Sequence, residues 1–158
     1  MSDLSPQTIF VQHLAKLTAL EKKLGPMYHK LEKAAFAAEL AKALSDEGTD
    51  HQAHLQRLLL IKQSGKFSLD APKVVFGTEL PSFKAKKASP TQDLEIIALA
   101  LYLQGLKLSS YELLHPLASS LGLEQEAVLL EQTINDHRNT NTWLRQLVQN
   151  VVVPISLG

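Results

Sequence analysis

Apolar side chains recur at three- and four-residue spacing in four long stretches of the chain, and strand-like alternation is all but absent outside one short connector. The pattern predicts a single all-α domain over residues 1–158. Helices are expected over about 6–35, 37–63, 90–121 and 124–151. Ser5-Pro6 opens the first as an N-cap with proline at the first helical position, and one stripe then runs through Phe10, Leu14, Leu17, Leu24 and Leu31. Gly25-Pro26 is expected to kink this helix without ending it, because the stripe resumes in register. Leu40, Leu44, Leu55, Leu58 and Leu59 mark the second stretch, where Gly48 costs about 1 kcal/mol relative to alanine and signals close packing or a local adjustment. Ser89-Pro90 caps the third, Gly122 stops it, and His115-Pro116 predicts a bend near its end. In the fourth, Val128, Leu130, Ile134, Leu144, Leu147 and Val148 are expected inward, and Pro154 discourages continuation.

Residues 64–90 break the periodicity with two glycines, three prolines and five lysines around one apolar run, Val74-Val75-Phe76. That is too long for a simple turn. A crossover over 64–89 can travel the full height of a bundle and place the second and third helices parallel, the topology of ferritin-like four-helix bundles.

Sixteen basic residues balance sixteen acidic ones. No net field attracts nucleic acid or an anionic membrane, and neither is expected as a partner. Cysteine is absent, which removes disulfides, thiol nucleophiles and thiolate metal sites. The opening residues lack the signature of a secretory leader, so a cytoplasmic location is expected. No nucleophile elbow, phosphate-binding glycine loop, zinc-protease helix motif or dinucleotide fingerprint occurs.

The candidate chemistry lies in an internal echo. Asp-His occurs at Asp50-His51 and again at Asp136-His137, each in the second half of a predicted hairpin. Twenty-nine positions before Asp50 stands Glu21, whereas the same step back from Asp136 lands on Lys107. Glu47 with His51 and Asp50 with His54 are spaced four apart, which puts each pair on one side of a continuous helix. Glu21, Glu47, Asp50, His51, His54, Asp136 and His137 are therefore the candidate metal ligands. The strict Glu-x-x-His pairs of ferritin-like di-metal sites are missing, since Ala53 and Asn139 stand three residues after the two aspartates. Trp143 and Tyr111 read as packing residues. A histidine phosphotransfer domain is a further class, requiring an exposed His51 or His137.

Several runs resemble the YciE/YciF-like bacterial ferritin-like proteins: Ile9-Phe10 through Glu21-Lys22-Lys23-Leu24, Leu31-Glu32-Lys33-Ala34-Ala35, Asp50-His51-Gln52-Ala53-His54, Tyr111, and Leu130-Glu131-Gln132-Thr133-Ile134-Asn135-Asp136-His137. The resemblance covers all four helices and implies a ferritin-like bundle, a homodimer and an association with bacterial stress responses. It aligns the family's first-helix Glu with Glu21, and its second-helix Glu with Asp50, followed four residues on by His54. The third-helix pattern similar to Glu-His-Tyr-Glu becomes Gln104-Gly105-Leu106-Lys107, losing both acids, and the fourth-helix acidic pair becomes Asp136-His137. Two divalent ions bring roughly four positive charges and need several anionic ligands. An ammonium at Lys107 works against that. The expectation is therefore a dimeric stress-associated or interaction protein with an unknown protein partner, not a redox enzyme. Its centre is expected to be metal-poor or metal-free, with Lys107 ion-paired to the remaining acids and the histidines hydrogen-bonding. The alternative is a divergent di-metal, iron- or manganese-binding oxidase or metal-storage protein.

Overall fold

The computed structural model describes residues 5–67 and 80–158; Val74-Val75-Phe76 and the middle of the expected crossover lie outside them. Among the described residues there are helices and no strands. Helix α1, Pro6–Ala34, starts where Ser5 Oγ accepts a 3.1 Å hydrogen bond from the Thr8 amide. It buries Phe10, Leu14, Leu17, Leu24 and Leu31. Pro26 sits inside it and, lacking an N–H, leaves the Lys22 carbonyl without its usual helical donor.

The second expected helix is divided into three: α2 Ala38–Leu44, α3 Asp46–Thr49 and α4 His51–Gly65. Two local devices make the breaks. Ser45 is extended and caps α3, its hydroxyl accepting from the Gly48 amide at 3.3 Å. Asp50 then takes a left-handed conformation at φ 55°, which aspartate tolerates better than most residues. A Cβ on Gly48 would collide with the carbonyls of Lys42 and Ala43, so glycine is required by the tightness of this corner.

Helix α5, Pro90–Ser120, is capped by Ser89 through the Gln92 amide at 3.1 Å. It continues through Pro116 and ends where Gly122, at φ 76°, lets the Leu123 amide return to the Ala118 carbonyl at 2.9 Å. The fully buried Asp93 carboxylate reaches across to α1 and α2 and accepts from the Phe36 amide at 2.8 Å and the Ala37 amide at 2.9 Å. Helix α6, Glu124–Leu147, does not stop near residue 151 as expected. A wide π turn, Val148–Val152, leads into α7, Val153–Leu157, whose first turn holds Pro154 where no N–H is needed. Val128 is 52% exposed, contrary to expectation, and Ala127 and Leu130 take the inward positions beside it.

Helix α1 packs against α4 and α5, and α6 packs against the same two, with the largest interface between α5 and α6. This four-sided bundle sets α1 opposite α6 across a common centre. No helix among the described residues is long and apolar enough to cross a membrane.

Candidate functional site

All four sides of the bundle send polar groups into the centre. Helix α5 carries Gln104, Lys107 and Tyr111 at spacings of three and four on one face, and α4 carries His51, His54 and Arg57 at successive spacings of three. Helix α1 supplies Glu21, and α6 supplies Thr133, Asp136 and His137.

Glu21 and Lys107 are both fully buried, with Lys107 Nζ 2.8 Å from Glu21 Oε1. Tyr111, also buried, donates its hydroxyl to the other oxygen, Oε2, at 2.7 Å. Each carboxylate oxygen thus has its own cationic or polar neighbour. Lys107 Nζ also lies 5.3 Å from the centroid of the Tyr28 ring, and the Tyr28 hydroxyl accepts from Gln104 Nε2 at 2.9 Å. Burial pushes the Lys107 pKa down while Glu21 pulls it back up. Burial raises both tyrosine pKa values, and the Glu21 charge adds to the effect, so both phenols stay protonated.

The imidazoles complete the centre. His51 Nδ1 lies 3.6 Å from Glu21 Oε1, and His54 Nδ1 lies 3.8 Å from Glu21 Oε2. His54 and His137 stack with ring centroids 4.6 Å apart. Burial lowers the pKa of all three, with the Lys107 charge as a further cause, and brings His137 to about 3. A neutral His137 whose Nδ1 sits 2.8 Å from the Thr133 carbonyl must carry its proton there, leaving a buried Nε2 lone pair with no hydrogen-bond partner. By the same logic His54 carries its proton on Nε2, 3.2 Å from Asp136 Oδ2, and turns an unpartnered Nδ1 lone pair inward.

Asp136 forms the outer rim of this network. Its Oδ2 accepts from Arg57 Nη1 at 2.5 Å, and the same Nη1 lies 3.3 Å from the Thr133 hydroxyl. Asp50 approaches the rim from the α3–α4 corner, where burial and the Asp136 charge raise its pKa. Donor atoms of Glu21, His54 and His137 lie within 4.8 Å of one another, as do those of Asp50, His54 and Asp136. His54 belongs to both groups.

Six of the seven candidate ligands are therefore brought to the centre or its rim. Glu47 is not: it is exposed, because its four-residue relation to His51 held only for a continuous helix and the left-handed Asp50 intervenes. Gln104 and Lys107 both lie in the centre. Tyr111, read as packing, is a direct partner of Glu21. Tyr28, Arg57 and Thr133 are additional participants, and only the three-residue step from His54 to Arg57 hinted at any of them. His51 is 5% exposed and His137 fully buried, which removes the phosphotransfer reading.

An all-α four-helix bundle with polar groups converging on its axis from every side has the ferritin-like fold. The chain belongs to the family described as "Domain of unknown function (DUF892)", whose model matches residues 5–154. It is similar in structure to the stress protein YciF of E. coli, at 20% sequence identity and a TM-score of 0.77, with 96% of this chain and 98% of that one covered. No protein of curated function matches the chain. The resemblance read from the sequence and the fold it implied are both borne out.

Proposed function

We propose that this chain is a stress-associated, homodimeric interaction protein whose ferritin-like centre runs on a buried ammonium in place of metal charge. The observation that carries the reading is Lys107 Nζ, fully buried, at 2.8 Å from Glu21 Oε1. A pair of divalent ions does not fit this donor set. Among the described residues Glu21 is the only carboxylate at the dry centre; Lys107 and Tyr111 already engage its two oxygens, and an ammonium fixed in place repels incoming cations. The stress association rests on the likeness in fold to YciF, a stress protein. Exposed Leu59, Leu60, Tyr102 and Leu113 offer apolar surface to a second copy or another protein.

Elemental analysis of protein purified without chelators tests the central claim. Iron, manganese and zinc far below one ion per chain are expected; near-stoichiometric retention of any of them refutes it. One observation favours a second reading, a single iron or manganese ion. The inward lone pairs of His54 and His137 meet the Glu21 carboxylate, a donor set suited to one cation if Lys107 withdraws. That reading predicts uptake of one ion per chain with iron-dependent oxygen consumption, lost in His137→Ala or His54→Ala.

A further inference from the structure

Two ring nitrogens turned toward the bundle centre lack a donor. His54 Nδ1 and His137 Nε2 belong to fully buried residues, and neither has a hydrogen-bond partner. The donors around them are committed elsewhere. Tyr111 donates to Glu21 Oε2 at 2.7 Å, Gln104 to the Tyr28 hydroxyl at 2.9 Å, and the Thr133 hydroxyl to the Leu129 carbonyl at 3.2 Å. Arg57 is turned to Asp136 and Thr133. Lys107 Nζ lies 2.8 Å from Glu21 Oε1 but in bonding geometry with neither imidazole. Lone pairs sealed from solvent in this way are costly, and protein interiors answer them with ordered water.

The spacing sets the size of what fits. One oxygen or nitrogen from each of Glu21, His54 and His137 lies within 4.8 Å of the other two. Three points so placed fall inside a circle of radius about 2.8 Å, the length of a hydrogen bond to water. The chemistry is equally restrictive: an occupant must offer two protons to neutral rings and bring no positive charge beside Lys107. A metal or ammonium ion fails the second condition and a halide the first. Water meets both, and its oxygen keeps lone pairs for the Lys107 ammonium.

We propose that a single water molecule is a resident ligand of this centre, donating to His54 Nδ1 and His137 Nε2 and accepting from Lys107. The inference rests on the metal-free reading and deepens it, since the ammonium then supplies the charge of a metal and the water takes its point of coordination. The way in from solvent passes His54. Asp136 and Arg57, on the Nε2 side of that ring, have side chains 23% and 22% exposed, whereas His54 is sealed. Exchange of the water therefore requires the ring to swing aside.

A high-resolution crystal structure of the full chain, with anomalous data at the iron, manganese and zinc edges, tests the proposal. A peak without anomalous signal is expected about 2.7–3.2 Å from both nitrogens. The same peak should be lost in His137→Leu and in His54→Leu, each of which removes one acceptor; far-UV circular dichroism establishes that the variants fold, and the unaltered chain decides the matter alone if they do not. No peak, or Lys107 Nζ bonded directly to the imidazoles, overturns this inference and leaves the metal-free reading standing. A peak that persists in both variants also overturns it, because the rings then do not hold the water. An anomalous peak at the same point overturns the inference and the metal-free reading together.

Discussion

Replacing Lys107 by methionine removes the ammonium and keeps an unbranched side chain of similar length in the same apolar surroundings. The Glu21 carboxylate then keeps its 2.7 Å bond from Tyr111 but loses the cation 2.8 Å away, with neither residue reached by solvent. Stranding one member of a buried pair costs about 3–5 kcal/mol. For a chain of this size, that is a fall in thermal midpoint on the order of 6–20 °C. Urea unfolding followed by far-UV circular dichroism should give this loss with an unchanged denaturant slope. The companion Glu21→Gln/Lys107→Met double variant should recover at least half of the loss, because a neutral amide oxygen still accepts from Tyr111 and no charge remains uncompensated. A single-variant loss below about 1 kcal/mol, the worth of a solvated surface pair, would refute the reasoning. So would a double variant as unstable as the sum of the single ones.

Acid should unfold the chain early. His137, His51 and His54 all have folded-state pKa values depressed below 6.5, so the unfolded chain binds more protons as pH falls. Stability is full above pH 6.5 and is lost as pH drops toward about 3, with His137 alone worth about 4 kcal/mol; a flat profile of unfolding free energy over that window would exclude a neutral, dry histidine cluster. Asp93→Ala should cost about 2–3 kcal/mol by stripping two charge-assisted bonds from the α1–α2 turn, and Asp93→Asn clearly less, as read by chemical denaturation. Gly48→Ala should cost about 1–3 kcal/mol, since the methyl meets backbone and not a flexible side chain; a neutral result would mean that the corner is looser than described.

What was legible in the sequence was local or strongly patterned. The Ser5-Pro6 and Ser89-Pro90 caps are written within three residues of the bonds they make, and Lys107 announced itself by standing where the echo of Glu21 called for a carboxylate. The aligned acid at Glu21 completed the pair. Hidden from the sequence were groups whose role depends on which helix lies opposite. Tyr111 and Tyr28 carry the same periodicity as core residues, and only the placement of α1 beside α5 shows where their hydroxyls end. The error at Glu47 was geometric: counting by fours presumes one helical phase. Gly48 did signal an irregularity, but not that the next residue but one would turn left-handed. Pro154 misled in the opposite way, because a π turn ahead of it removed the conflict its ring would have caused.

Asp50 answers to two masters. Its left-handed backbone narrows the residues that position 50 tolerates to a short list headed by glycine, asparagine and aspartate. Its side chain adds a second demand, a carboxylate beside Asp136 that burial and like charge discourage from ionising. Asparagine would satisfy the first demand and abolish the second at almost no cost in shape. A one-atom exchange of oxygen for nitrogen could therefore separate selection for the bend from selection for the anion, and the residues that related chains carry at this position would record which of the two their lineages kept.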